Sequence, residues 1–248
     1  MKNNFSIQIW TSDINMACLP ATCFLFNEFW PQVELVQILG YKKPDFELPD
    51  NFEFVSLGTQ RGPKFWSDDM RSFYSNLKSD FFYSIWEDAL ILKPVNKGIL
   101  EVASKLTETD KNFFKFNLTA DVSRRPNILV KEGNEYDLIV AKQNSLYRYS
   151  TQHCIWNTER FLQKIESSQS PWDFEMNHYK SFNDNLNIYA TRRKFAVYMG
   201  HLYRRGKKLN NWHMCSFGPD DAKVHNVLGL DKKYVDILEQ NNWVPELP

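Results

Sequence analysis

FFYSIWEDALIL, residues 81–92, is the stretch on which the reading of this chain turns. Six mostly apolar residues, Phe81 to Trp86, run into Glu87 and Asp88, and the chain then turns apolar again. A short apolar run bounded by polar residues reads as a buried strand. One acid at its end would be an ordinary solvent-facing residue. Two together cost desolvation and mutual repulsion unless a cation or a proton meets them. The pair marks either an exposed strand end or a place where a cation belongs.

Upstream, Phe5 to Trp10 (FSIQIW) alternates apolar and polar residues and reads as a strand ending at the turn-forming Thr11, Ser12 and Asp13. Pro20 to Trp30 is an aromatic-rich helix with proline in its first turn and Pro31 closing it. Val33–Leu39 and Phe52–Leu57 read as strands. Ser67 reads as the N-cap of a helix, with Asp68 and Asp69 in its first turn and Met70, Phe73, Tyr74 and Leu77 at helical spacing. Asp68, Asp69 and Arg71 are most simply cap and helix-surface residues.

Downstream, Pro94 separates the acidic strand from a helix with Ile99, Val102, Ala103 and Leu106 on one face. Residues 113–118, 136–141 and 146–150 are strand candidates. Asn157 caps a short helix carrying Phe161, Leu162 and Ile165. Ser170–Tyr179 starts another, with Pro171 at its first position and Asp173 and Glu175 just after it. LNIYA and KFAVYM are late strands, and Asp231 caps a last helix.

Strands alternating with helices over the first hundred residues indicate an α/β fold with a mixed, mostly parallel sheet, Rossmann-like, covered by helices on both faces. The whole of 1–248 reads as a single domain. In open sheets of this kind ligands bind at the carboxyl ends of the strands. Thr11–Asp13 and Glu87–Asp88 both follow strand-like runs, so neighbouring strands bring them to one crevice.

Composition narrows the function classes. Hydrophobic residues make up 43% and charged residues 24% of 248, which excludes a disordered chain. The formal net charge is zero, against a general nucleic-acid binder, since phosphate binding draws on excess Lys and Arg. Aromatics reach 15%, a supply for large cores and for clefts that stack on sugar or base rings. The four cysteines form no CxxC and read as reduced, buried thiols of a cytoplasmic protein. No run has the length of a membrane span, and the N-terminus lacks the apolar core of a signal peptide.

Adjacent acids at a strand end suit a divalent cation holding a diphosphate, because Mg²⁺ and Mn²⁺ take hard oxygen ligands, usually one or two carboxylates plus substrate phosphates. The motifs in order extend this. IQIWTSD forms the first strand and turn, FNEFWP ends the first helix, FWSDDMRSFYSNL precedes the acidic strand, and WEDALIL is that strand's end. YRYSTQHCIWNTERFLQKI, SPWDFE and VYMGHLYRRGKKL follow. This set resembles GT-A-type glycosyltransferases, especially small glycosyltransferase-like proteins of bacteria and large viruses, over most of the chain.

The resemblance implies a nucleotide-sugar donor over about 1–110 and a carbohydrate or other hydroxyl acceptor over about 111–248. It implies Thr11, Ser12 and Asp13 near the nucleotide, and the helix start carrying Arg71 near the donor. Glu87 and Asp88 match the family's acidic DxD-like position, holding Mn²⁺ or Mg²⁺, although Trp86-Glu87-Asp88 departs from Asp-x-Asp. Asp173 and Glu175 match the acidic position where a catalytic base can sit. Residues two apart on a helix point to different faces, so one of the two reaches the crevice.

Other residues have simpler accounts. Core packing accounts for Trp156 and Trp172, although either could stack on a sugar or base. His153, His201 and His213 could meet phosphate or metal, but packed or surface roles are commoner. Arg204–Lys208 reads as a solvated hairpin turn around Gly206. Two rivals to a glycosyltransferase stand beside it. One is a catalytically silent sugar- or nucleotide-binding protein on the same fold. The other is a nucleotidyltransferase, whose Gly-rich phosphate loop is not evident in TSDINMAC after the first strand.

Overall fold

The computed structural model describes residues 5–177, 183–204, 206–215 and 229–246. The chain opens with β1 (Ser6–Trp10), α1 (Leu19–Phe29), β2 (Val36–Gly40), β3 (Phe52–Ser56) and α2 (Trp66–Tyr74). The acidic stretch forms β4 (Phe81–Trp86) and β5 (Ala89–Ile91), with Glu87 and Asp88 turning between them. Then come α3 (Lys97–Thr109), β6 (Phe113–Asn117), β7 (Asn127–Lys131) and β8 (Asp137–Ala141). β9 (Cys154–Asn157), α4 (Thr158–Lys164), α5 (Pro171–Asn177) and β10 (Asn187–Arg192) follow. β11 (Met199–His201), β12 (Tyr203–Arg204), β13 (Lys207–Lys208) and α6 (Lys232–Gln240) complete the described elements.

The chain divides into two compact units, each made of separated stretches. The first comprises Met1–Gln8, Thr59–Ser84 and Lys97–Ala196. Its strands lie in the order β4-β9-β6-β10-β8-β7. β9 is antiparallel to both β4 and β6, β10 is parallel to β6, and β8 is antiparallel to β10 and β7. Hence β4, β6, β10 and β7 share one direction, and β9 and β8 run against it. All five residues of β6 are buried, which explains its near-continuous apolar run. The aromatic surplus goes into this unit's core. Tyr74 stacks on Phe82 with centroids 4.0 Å apart, and Phe161 meets Phe82 at 5.1 Å and Phe174 at 5.4 Å. Burying each such ring contributes about 1.5–3 kcal/mol.

The second unit comprises Ile9–Gly58, Ile85–Asn96 and Val197–Pro248. β2 pairs in parallel with β3 from Val36↔Phe52 to Gly40↔Ser56, and β1 lies on the other side of β2. β5 pairs antiparallel with β11, Ala89 opposite His201. α6 docks through Tyr234, whose ring meets Phe24 and Phe29 of α1 at 6.3 and 5.2 Å. β12 and β13 make the expected hairpin around Gly206, whose φ of +73° suits glycine.

Several local expectations need correction. Residues 146–150 form turns, because Tyr147 has φ +53° and the Arg148 and Tyr149 side chains turn to Asp184. KFAVYM is irregular up to Met199, following Arg193 at φ +76°. β7 and β9 have no counterpart in the sequence reading. Ser67 is no cap: α2 begins at Trp66, and the Ser67 hydroxyl accepts the Gln169 N–H at 2.8 Å. Asp231 precedes α6 without a capping bond and pairs instead with Lys93 at 2.9 Å. Asn157 does cap α4, accepting the Arg160 N–H at 2.9 Å. The last two residues of the helix expected over Ser170–Tyr179 lie outside the described residues.

Candidate active site

In the second unit the ends of three neighbouring strands come together. The Glu87 N–H donates to the Trp10 carbonyl at 3.1 Å, and the Thr11 N–H donates to the Leu39 carbonyl at 2.9 Å. The turns that follow β1, β2 and β4 therefore share one end of the sheet. The Lys42 N–H donates to Asp13 Oδ1 at 3.0 Å and ties the loop after β2 to the Thr11–Asp13 turn. Gly40 makes this approach possible. A Cβ there would stand 2.6 Å from Thr11 Cγ2 and 3.0 Å from the Phe54 ring. Thr11 is buried, Ser12 half-buried and Asp13 exposed.

Glu87 and Asp88 part company at their turn. Glu87 is buried, and among the described residues neither carboxylate oxygen makes a hydrogen bond of ordinary geometry. The Asn15 side chain and the Ser12 backbone come near enough to favour its ionised form without forming bonds of ordinary geometry. Burial, then the neighbouring Asp88, pushes the Glu87 carboxyl up to about 8. Asp88 keeps some surface exposure. Burial raises its pKa as well, and the nearby His201 works against that. The Glu87 carbonyl accepts from the Thr22 hydroxyl of α1, and the Asp88 carbonyl accepts the Leu202 N–H at 2.8 Å. The turn's backbone is held from both sides. Cys18 lies close by, its thiol pushed well up by burial, Glu87 and Asp88, so it stands neutral.

Asp173, Glu175 and Arg71 belong to the first unit. Asp173 and Ser170 form a reciprocal helix-start pair. Asp173 Oδ2 accepts from the Ser170 N–H at 2.9 Å and its hydroxyl at 2.7 Å, and the Asp173 N–H donates to Ser170 Oγ at 3.2 Å. Those Ser170 bonds hold the Asp173 carboxyl below its ordinary range. Glu175 faces inward. Its Oε1 accepts from the Thr151 N–H at 2.6 Å and the Thr151 hydroxyl at 2.7 Å. Oε2 has no hydrogen bond among the described residues. Burial raises the Glu175 pKa, and the Thr151 bonds and Lys115 oppose that rise. Arg71 donates to the Ile165 carbonyl at 2.6 Å, a tie between helix and loop.

Trp172 overturns the core-packing expectation. It is 65% exposed, whereas Trp156 is fully buried. Phe174 turns into the core, and a helical residue two positions away faces the opposite side. The sequence reading missed Lys115, which is fully buried in β6 and lies 4.9 Å from the Trp156 ring. The lone cation inside FFKFN was the available signal. Of the histidines, His153 is buried against the Tyr83 hydroxyl. A cavity of about 540 Å³ between α3 and residues 131–136 contains none of the expected site residues.

Carboxylate oxygens suit a hard cation, and Glu87 and Asp88 are the residues here that could supply them. Among the described residues no three His, Cys, Asp or Glu side chains gather as a metal-binding group. No helix among them is long and apolar enough to cross a membrane.

No protein-family model and no curated protein matches the chain. Solved structures are similar at the level of the fold. A cytidylyltransferase from Leptospira borgpetersenii has TM-score 0.48 and 8% identity, covering 98% of this chain and 97% of its own. HddC from Yersinia pseudotuberculosis has TM-score 0.45 and 11% identity, covering 80% and 93%. LgtC has TM-score 0.42 and 10% identity, covering 74% and 72%. The fold is α/β with a mixed, mainly parallel, Rossmann-like sheet, as the sequence implies.

Proposed function

We propose that this chain is a glycosyltransferase that moves a sugar from a nucleotide-sugar to a hydroxyl of a carbohydrate or similar acceptor. One observation carries the reading. Glu87 is a buried acid whose two oxygens make no hydrogen bond of ordinary geometry among the described residues, at the carboxyl end of β4, beside Asp88 and the Thr11–Asp13 turn. An acid kept for stability is normally solvated or paired. Leaving one buried without a partner costs about 1–3 kcal/mol even when burial keeps the proton on it, a cost a ligand removes. Glu87 and Asp88 would hold Mn²⁺ or Mg²⁺. When bound, the cation supplies positive charge that offsets the diphosphate leaving group. Thr11, Ser12 and Asp13 line the nucleotide, and Arg71 is the further candidate for a donor contact.

Glu175 is the better base of the two acids. One of its oxygens is fixed by Thr151 while the other has no hydrogen bond among the described residues, whereas Asp173 is spent on the helix start. Glu175 takes the proton of the acceptor hydroxyl as that oxygen attacks the anomeric carbon and the diphosphate departs. The exposed Trp172 offers a flat apolar face on which a sugar ring can lie.

The test is a panel of nucleotide-sugars, with Mn²⁺ or with chelator. Melting temperature reports binding, because a ligand of the native state raises it by mass action. Release of nucleoside diphosphate reports turnover. Donor-dependent stabilisation with turnover supports the proposal. Binding without turnover under every acceptor tried indicates a silent binding protein. Pyrophosphate release from a nucleoside triphosphate and a sugar phosphate indicates nucleotidyl transfer. Lack of stabilisation by any donor refutes the nucleotide-sugar reading.

A further inference from the structure

We propose that Lys115 is the positioning residue for Glu175, acting through the single peptide group that joins Ser150 to Thr151. This rests on the reading of Glu175 as the base, and the experiment below separates the two.

Lys115 sits in the middle of β6 and is fully buried. Its Nζ donates to the Ser150 carbonyl at 2.8 Å. The other end of that same peptide group, the Thr151 N–H, donates to Glu175 Oε1 at 2.6 Å. A cation on the oxygen and a carboxylate on the hydrogen polarise one peptide in the same sense. In a buried setting each bond strengthens the other, because low dielectric raises the energy of every aligned dipole. Among the described residues, Lys115 forms no direct ion pair. Glu175 is the acid that the peptide bridge connects it to.

Burial drives each partner towards its neutral form, lowering the pKa of Lys115 and raising that of Glu175. Each charge opposes the other's loss. The remaining charged groups near the pair act in known directions. Asp121 supports the Lys115 cation and disfavours the Glu175 anion, while Arg148 disfavours the Lys115 cation. The Cys154 thiol, pushed up to about 12 chiefly by burial, is neutral at working pH. The bridge fixes the carboxylate's orientation as well as its charge. Oε1 is bound at two points of Thr151, which leaves Oε2 as the oxygen to receive a proton.

The test is a carboxyl-carbon NMR titration of Glu175, assigned by comparison with E175Q. Lys115→Gln keeps a donor for the Ser150 carbonyl and removes the charge; Lys115→Met removes both. In either variant the Glu175 midpoint is expected to rise by about one unit or more, a tenfold change in the ionisation ratio. Cys154→Ala disturbs the same core without changing charge and is expected to leave the midpoint within about 0.3 units. Coupling is reciprocal, so E175Q must lower the Lys115 ammonium midpoint in a chain otherwise intact. That arm decides the matter where the Lys115 variants do not fold. An unchanged Glu175 midpoint in a folded Lys115→Gln, or an unchanged Lys115 midpoint in E175Q, overturns the proposal. A coupled titration with undiminished sugar transfer by E175Q keeps the bridge and refutes the base.

Discussion

Replacing Asp184 tests how far a buried charge network holds the first unit together. Arg148 Nη1 lies 3.0 and 2.9 Å from the two Asp184 oxygens, and their side chains are 2% and 5% exposed. The Tyr149 hydroxyl and the Leu186 N–H also donate to this carboxylate, the latter at 3.0 Å. Breaking a buried pair by removing one partner costs about 3–5 kcal/mol, because the other charge is left uncompensated. Asp184→Asn leaves Arg148 in that state and belongs near the upper end. Arg148→Met leaves Asp184 with Lys164 at 3.7 Å, which is itself 25% exposed, and belongs near the lower end. For a chain of this size each kcal/mol moves Tm by about 2–4 °C, so Asp184→Asn should melt about 10 °C or more below the parent at neutral pH. The double variant Arg148→Met/Asp184→Leu removes both charges and is expected to be more stable than Asp184→Asn.

The pH dependence follows from the same contacts. Burial raises the Asp184 pKa, but the Arg148, Tyr149 and Leu186 bonds outweigh it, so the folded value lies below the ordinary one. A depressed acid contributes stability above its unfolded pKa of about 3.9 and loses it as pH falls through the folded value. Asp184→Asn should therefore flatten the acid limb of a stability curve measured by urea unfolding. A loss of under about 1 kcal/mol at pH 7, with an acid limb like the parent's, would refute this reasoning.

Other outcomes are expected from single sites. Ser170→Ala should cost about 1 kcal/mol in denaturant unfolding by removing the helix-start pair, and leave transfer unaffected. In the same assays Asp173→Asn should leave kcat near the parent value; a fall of about a hundredfold would move the base role to Asp173. Gly40→Ala should lower stability by about 1–3 kcal/mol in thermal melts, with Thr11→Ser in the same chain restoring part of it by removing Cγ2. In calorimetric titrations Asp88→Asn should abolish any gain in nucleoside diphosphate affinity from Mn²⁺, while affinity in chelator stays as in the parent.

The legible parts of this protein were those with a local cause. The β1 and β4 runs, the helix after Pro20 and the Asn157 cap each have their signal within a few residues. Glu87–Asp88 stood out because two acids interrupt an apolar run, and the turn between β4 and β5 lies there. β9 was not legible, because a four-residue buried strand shows no alternation and is defined only by β4 and β6 on either side. Residues 146–150 carried strand-like residues, yet their conformation is dictated by Asp184, far along the chain. Asp173 and Glu175 looked equivalent in sequence. What separates them is Ser170, three residues before one, and Thr151, twenty-four residues before the other. Lys115 was visible as a lone cation in FFKFN, but its role was hidden for a related reason: its partner is a carbonyl, and a backbone atom leaves no mark in a sequence.

The interleaving of the two units has a consequence for synthesis. A growing chain released as far as Ala196 contains every stretch of the first unit, but β5 still lacks β11. The α1 face that later receives Tyr234 is bare at the same stage. Pairing Ala89 with His201 closes a loop of more than a hundred residues, a slow, non-local step. The turn bearing Glu87 and Asp88 is therefore completed late, when Leu202 reaches the Asp88 carbonyl. Nascent chains halted before residue 197 should accordingly protect the β6–β10 amides from exchange while leaving the acidic turn open. On this order, the acidic turn of this protein assembles only after the scaffold around Glu175 is already in place.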